Sequence, residues 1–239
     1  MAEGAAPGNV VLLLDNYSLL SRRLHESIQK VESEILVIVI TEDNFLPDNV
    51  MSIYDLMIGN YIDGAIRKTT RPRYFNEIPV PDSWSIRMGD ESSGSIICQQ
   101  VEKGKILYAD APKKRLVREV VWYDRAGTAR FLDHYNRYGD ICARTVYNSV
   151  GEAASKTWLS PKGQEIVVDN YMTHDILLND GDMVKLFRSR EELMLYCLKK
   201  AGFQSYRIFI NSLATPFILA NRLGGKRERY IILAGNSGR

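Results

Sequence analysis

The sequence predicts an α/β fold: a parallel layer built from both ends of the chain, interrupted by a long antiparallel β insertion. Three observations predict it. The opening residues read strand, helix, strand, with two continuous apolar runs flanking a stretch of helical spacing. The middle of the chain carries three consecutive hairpin signals. From Ser189 the helix-and-strand texture returns.

Val10–Leu14 is a short apolar run of the kind expected of a strand buried on both faces. From Ser18 to Val31 the residues Leu20, Leu24, Ile28 and Val31 recur at helical spacing, which predicts an amphipathic helix with that apolar face. Ile35–Ile40 is rich in β-branched residues and predicts a second buried strand. The polar loop Thr41–Pro47 follows it, off the carboxyl end of a strand, where α/β sheets place ligands or partners. Met51–Ile58 is weakly helical and is closed by Gly59-Asn60.

Near Arg67 the chain turns proline-rich and then alternating. Val117–Tyr123 and Thr128–Tyr135 flank Asp124-Arg-Ala-Gly127, with glycine for the positive-φ position. Ile141–Asn148 is a further strand. Lys156–Leu159 and Gln164–Met172 flank Ser160-Pro-Lys-Gly163, and Asp175–Leu178 and Met183–Phe187 flank Asn179-Asp-Gly181. Successive hairpins build an antiparallel meander. Ser189 and Glu192 form a capping box for a helix that Gly202 ends. Tyr206–Ile210 is a strand, Thr215-Pro216 opens the helix Phe217–Leu223, Gly224-Gly225 stops it, and Tyr230–Leu233 is a last strand. The resulting division is 1–66 for the first part of a Rossmann-like domain, 67–188 for the inserted antiparallel sheet and 189–239 for the return. The last strand runs into Gly-Asn-Ser-Gly with no helix after it, which predicts the front part of a longer protein.

Composition narrows the function classes. The 239 residues are 45% hydrophobic and 25% charged, with a formal net charge of +2. These values exclude a disordered chain, a collagen and a coiled coil, and they argue against a nucleic-acid partner, which calls for a basic surplus. No apolar run is long enough for a membrane-spanning helix. Cys98, Cys142 and Cys197 are scattered, which fits a reducing cytoplasm. Met1–Asn9 lacks the positive region and apolar core of a secretory leader.

The reactive residues form no recognisable catalytic set. His25 is expected on the surface of its helix. His134 and His174 each neighbour an aspartate, but adjacent strand residues point to opposite faces, so neither pair is positioned for acid–base work. There is no metal-ligand spacing, no GxSxG and no glycine-rich phosphate loop. Ser93-Gly-Ser95 reads as a flexible loop. No catalytic, metal or cofactor residue is therefore assigned, and no cofactor is expected. Lys113-Lys-Arg115 and Lys226-Arg-Glu-Arg229 are solvated turns or contacts with an acidic partner or anionic lipid.

Aromatic residues crowd the meander. Val117, Val121 and Tyr123 share one face of their strand, and Val120 and Trp122 the other; Phe131 and Tyr135 share a face of the next strand. A sheet with two apolar faces must cover both or use one for binding. Trp122, Phe131, Tyr135 and Tyr147 are the candidate acceptor- or partner-binding residues, with core packing as the competing explanation.

Five segments carry a resemblance: Asn44-Phe-Leu-Pro47, Arg73–Asp82, Ala109–Val117, Asp133-His-Tyr-Asn136 with Tyr138-Gly139, and Asn211–Phe217. From about Leu12 onward the chain resembles the glycosylation-stabilising, non-catalytic subunit (GtfB type) of the two-component O-linked N-acetylglucosamine transferase. That enzyme modifies serine-rich-repeat adhesins before accessory-Sec export. The resemblance implies a Rossmann-like half of a GT-B-type fold with an inserted antiparallel extended β-sheet domain. It also implies two partners, a catalytic GlcNAc transferase subunit and a Ser/Thr-rich adhesin polypeptide. The expected location is the cytoplasm, with the basic turns leaving peripheral membrane attachment open. Family members are longer, and the second GT-B half is absent here. An active UDP-GlcNAc-dependent fragment and an inert truncated remnant are the alternatives.

Overall fold

The computed structural model describes residues 10–58, 71–109, 115–181, 183–223 and 230–232. The Gly59-Asn60 helix end, the lysines of the 113–115 cluster, the Gly224-Gly225 stop, the 226–229 cluster and the residues around both termini lie outside the described residues. The chain divides into two compact units, residues 1–59 with 189–239, and residues 60–188.

The first unit is a five-stranded parallel sheet. Its strands are β1 (Val10–Leu14), β2 (Ile35–Val39), β3 (Val50–Ser52), β14 (Arg207–Ile210) and β15 (Tyr230–Ile232). They lie in the order β15-β14-β1-β2-β3. Every residue of β1 is buried, as its unbroken apolar run requires. Val10 pairs with Ile35 on one side and Arg207 on the other, so the order reverses at β1. That reversal opens a crevice between β1 and β14 at their carboxyl ends. The helices are α1 (Leu19–Gln29), α2 (Ile53–Ile58), α3 (Arg190–Lys200) and α4 (Thr215–Arg222). Strand β3 is a feature the sequence reading missed; it precedes the expected helix directly.

Helix α1 forms where expected, but with its buried face one residue over. Leu20 is 70% exposed and Val31 83%, while Ser21 and His25 are buried. Leu24 and Ile28 do pack on the core of β1 and β2. The inward stripe is Ser21, Leu24, His25 and Ile28. It is tolerated because its polar members are satisfied: Tyr17 Oη and His25 Nδ1 lie 2.9 Å apart, and Asn211 Nδ2 donates to Ser21 Oγ at 3.4 Å. The expected surface position of His25 is thereby corrected. The Ser189 cap of α3 is in place, its hydroxyl accepting from the Glu192 amide at 3.2 Å. Thr215 lies inside α4, and Ala214 takes the capping position.

The second unit is a ten-stranded antiparallel meander in which every strand pairs with its neighbour in sequence. The strands are β4 (Ser85–Met88), β5 (Ser93–Cys98), β6 (Val101–Tyr108), β7 (Val117–Tyr123), β8 (Ala129–Tyr135), β9 (Ile141–Tyr147), β10 (Ala153–Leu159), β11 (Glu165–Asn170), β12 (Asp175–Asp180) and β13 (Met183–Phe187). One cross-strand ladder crosses the whole sheet: Met88, Gly94, Ile106, Val120, Asp133, Arg144, Thr157, Val168, Leu177 and Leu186. At ordinary strand spacing it is about 43 Å long.

Ser93-Gly-Ser95 begins β5 and is not a flexible loop. The turn from β5 to β6 is made by Gln99 and Gln100 at φ 48° and 65°, the geometry usually supplied by asparagine and glycine. The expected separation of Val117 from Val120 is also corrected. Leu107 pairs with Glu119 but Tyr108 pairs with Val117, so Arg118 is a bulge residue. The extra residue turns Val117 to the same face as Val120, and both join one core cluster.

Candidate functional site

The candidate aromatic residues sit on the two sides of this sheet. On one face, Trp122 and Phe131 are direct cross-strand partners with ring centroids 6.1 Å apart. Trp84 lies 6.5 Å beyond Trp122. Gly104 faces Trp122 on β6; a Cβ there would lie 2.7 Å from the Val121 carbonyl oxygen and 3.4 Å from the indole. The glycine lets the ring lie flat across the strand.

A charged network sits under these rings. Asp133 is 2% exposed. Arg144 Nε donates to its Oδ1 at 2.6 Å and a second guanidinium nitrogen to Oδ2 at 3.1 Å. Trp122 Nε1 donates to Oδ2 at 2.9 Å. The Arg144 guanidinium lies 4.7 Å from the Phe131 centroid, a cation–π arrangement. The carboxylate holds the guanidinium pKa above its ordinary value. The network therefore fixes the rotamers of Trp122, Arg144 and, by stacking, Phe131.

Tyr135 does not belong to an open surface. It is 1% exposed, and burial raises its hydroxyl to about 12. Its face is covered by the chain's own segment from Arg73 to Trp84. Ile78 enters the core formed by Ile96, Ile106, Val117, Val120 and Tyr135, and Phe75, Val80 and Trp84 pack around it. The Arg73 guanidinium lies 5.7 Å from the Tyr135 ring and donates to the Gly139 carbonyl at 3.0 Å. This strap answers the question of the second apolar face for β4 to β9. Its anchors are the conformational turn at Phe75–Glu77 and backbone bonds from Val117 to Arg73 and from Phe75 to Arg115.

Tyr147 lies on the opposite face, where Glu119, His134 and Thr145 meet. Glu119 pairs with His134 across β7 and β8, its Oε1 3.3 Å from Nδ1. His134 Nε2 lies 3.0 Å from Thr145 Oγ1. The histidine lowers the Glu119 carboxyl pKa; burial and then the Glu119 charge raise that of Tyr147. This carboxylate–imidazole–hydroxyl row is a cross-strand relation that neighbour pairs in sequence do not reveal. Thr145 is 6% exposed and His134 8%, so the row is a largely buried hydrogen-bonded network. The four candidates thus do not form one site: Trp122 and Phe131 are together, Tyr135 is beneath the strap, and Tyr147 is behind the sheet.

Sequence reasoning missed the Asp133–Arg144 pair, whose members are eleven residues apart and meet only through β8–β9 register. It also missed the half of this face that the strap leaves bare. There Val146 is 41%, Leu177 38%, Leu186 52% and Val184 65% exposed.

In the first unit, the crevice between β1 and β14 is closed by its own side chains. The Asp15 amide donates to Asn211 Oδ1 at 3.1 Å, and Ser212 Oγ donates to the Asp15 carboxylate. Ser18 caps α1 with its own hydroxyl. A carboxylate and a side-chain cap thus occupy the place where a phosphate would need free amides. Among the described residues, no cluster of three His, Cys, Asp or Glu side chains is placed to hold a metal ion. No described helix is long and apolar enough to cross a membrane.

Comparison with known proteins places both units. Residues 11–56 match the GtfB N-terminal domain, and residues 84–188 match the GtfB middle domain. The chain is 36% identical over 212 residues to the UDP-N-acetylglucosamine–peptide N-acetylglucosaminyltransferase stabilizing protein GtfB of Streptococcus pneumoniae, covering 88% of this chain and 46% of that one. It is 33% identical over 224 residues to the protein of the same name from Streptococcus gordonii, covering 93% and 48%. A solved GtfA/B complex bound to UDP and GlcNAc contains a similar chain: TM-score 0.78, 33% identity, 90% of this chain and 47% of that one. The accessory secretory protein 1, 2 and 3 structure from Streptococcus pneumoniae shares the fold at TM-score 0.70 and 11% identity. The chain spans about half the length of the curated relatives it matches. With an N-terminal and a middle domain of one type in the same chain, and relatives of that type along nearly all of its length, the protein belongs to the GtfB family.

Proposed function

We propose that this chain acts as a non-catalytic stabilising and acceptor-recognition subunit of a two-component protein O-GlcNAc transferase. The catalytic subunit would be its partner and a Ser/Thr-rich adhesin polypeptide the acceptor. The observation that carries the reading is the match of both domains to GtfB, with a similar chain present in a solved GtfA/B complex. In this reading the parallel unit is the Rossmann-like half of a GT-B-type fold, and the ten-stranded sheet is the inserted domain that meets partner or acceptor. The self-closed β1–β14 crevice supports a role without nucleotide-sugar chemistry in this half. The place of action is the cytoplasm, with peripheral contact to the membrane through basic turns as an extension.

Stabilisation would operate by mass action: a subunit that binds only the folded transferase removes it from the unfolding equilibrium. The test is co-expression with the catalytic subunit, size-exclusion chromatography and a GlcNAc-transfer assay on a serine-rich peptide. A stable complex with raised transfer is expected. Absence of co-elution at micromolar concentration overturns the reading for this chain, and transfer by the chain alone would favour an active fragment instead.

A further inference from the structure

The bare half of the aromatic face ends in an edge strand, β13, and among the described residues no strand pairs with its outer side. The hairpin from β12 closes at the Asp180–Met183 pair and continues without a bulge through Ile176–Phe187. A two-residue loop makes the closing pair a hydrogen-bonded one, and antiparallel pairs then alternate. Met183, Lys185 and Phe187 therefore turn their amides and carbonyls toward β12. Val184 and Leu186 turn theirs outward, to solvent. These same two residues expose their side chains, 65% and 52%, on the face they share with Leu177.

Edge strands are ordinarily protected by charges, proline, bulges or cover. Here the strand has no proline, no bulge and one charge, Lys185. That lysine lies on the other face and is paired with Asp180 at 3.6 Å. The edge is left open to backbone pairing beside an apolar strip.

We propose that β13 takes up an extended, uncharged polypeptide as an eleventh strand, its backbone bonded to Val184 and Leu186 and its alternate side chains lying against those of Val184 and Leu186. The size of the edge selects this occupant. Five residues with two outward positions make a segment about 17 Å long. One edge that short cannot bury the roughly 1,200 Å² a stable subunit contact needs, but it matches the length of a short peptide. Pairing with a second copy centred on Lys185 would set two like charges opposite each other. Recognition through backbone groups also suits an acceptor of repetitive, low-information sequence, since it reads no particular side chain. A repetitive chain gains further from many weak equivalent segments. The inference rests on the acceptor-recognition reading above and supplies the surface for it.

The experiment uses the whole chain and a fluorescent, unglycosylated Ser/Thr-rich peptide of about twelve residues, followed by anisotropy. A second peptide of the same sequence carries N-methyl groups on alternate amides, which removes strand pairing and keeps the side chains. The protein variants are Val184→Lys and Leu186→Lys, both at exposed positions, with thermal melts to verify folding. The expected result is a loss of affinity of at least tenfold for the methylated peptide and for each variant. Equal binding of the parent peptide by the wild type and both variants overturns the edge as the docking site while leaving acceptor recognition intact. No peptide binding by the wild type overturns both. Concentration-dependent self-association abolished by Leu186→Lys, without peptide binding, assigns the edge to copies of the chain and also overturns the proposal.

Discussion

Arg144 and Asp133 face each other across β8 and β9 with two hydrogen bonds, 2.6 and 3.1 Å, and the aspartate is almost wholly buried. The pair is asymmetric, because the arginine side chain keeps 44% of its exposure and the carboxylate keeps 3%. Arg144→Ala leaves a buried carboxylate with the indole of Trp122 as its remaining named donor. Breaking such a pair from one side costs about 3 kcal/mol. Chemical denaturation should show this loss, and Asp133→Asn combined with Arg144→Ala should cost less than the two single changes added together. Additive losses would mean that the pair is not coupled.

Tyr108 carries a buried hydroxyl with no hydrogen-bond partner among the described residues. Tyr108→Phe should therefore leave stability unchanged or raise it by about 1 kcal/mol. The hydroxyl also occupies the space beside Gly94, where a Cβ would approach it to 2.6 Å. Gly94→Ala should be destabilising, and less so when Tyr108→Phe is present in the same chain. Thermal melts of the three variants check both statements; a Gly94→Ala loss unaffected by the second change would place the clash at the Arg87 carbonyl oxygen, 3.1 Å away.

His25 makes the parallel unit sensitive to acid. Burial holds its imidazole below the ordinary 6.5. The unfolded chain then binds the proton more tightly than the folded one, so this stability is complete above about pH 6.5 and is lost as pH falls toward and through the folded value. Melting temperature should drop between pH 7.5 and pH 5.5, and His25→Gln should flatten that drop. An unchanged pH profile in the variant would assign the sensitivity to another group.

The strap from Arg73 to Trp84 is held by Ile78, which is 3% exposed. Ile78→Ala removes buried methyl and methylene groups and should cost about 3 kcal/mol. Because the strap also packs beside Trp122, intrinsic tryptophan fluorescence should shift to longer wavelength before global unfolding. A variant with native fluorescence and native stability would show that the cover does not depend on this side chain.

Local chemistry made a definite share of this protein legible. The all-apolar run Val10–Leu14 has one stable use in a soluble chain, a strand buried on both faces. Gly127 and Gly163 stand at φ 81° and 78°, so the hairpins around Asp124–Gly127 and Ser160–Gly163 could be read from turn chemistry. Strands β4 to β6 were not legible, because the Gln99-Gln100 turn holds positive φ without glycine, asparagine or aspartate. The long motifs from Asn44 to Phe217 carried the family resemblance without any knowledge of register.

The sequence by itself determined the strand–helix–strand opening, the hairpins from β7 onward, the Ser189 cap and the family. Tertiary structure alone decided which groups face one another. Burying Ser21 and His25 in place of Leu20 depended on partners at Tyr17 and Asn211, the latter 190 residues from Ser21. The bulge at Arg118 decided which face Val117 joins, and the strap decided that Tyr135 is core while Val184 and Leu186 stay bare. The reason is physical: propensity and turn chemistry act over a few residues, whereas burial and cross-strand pairing depend on groups that only the folded chain brings together.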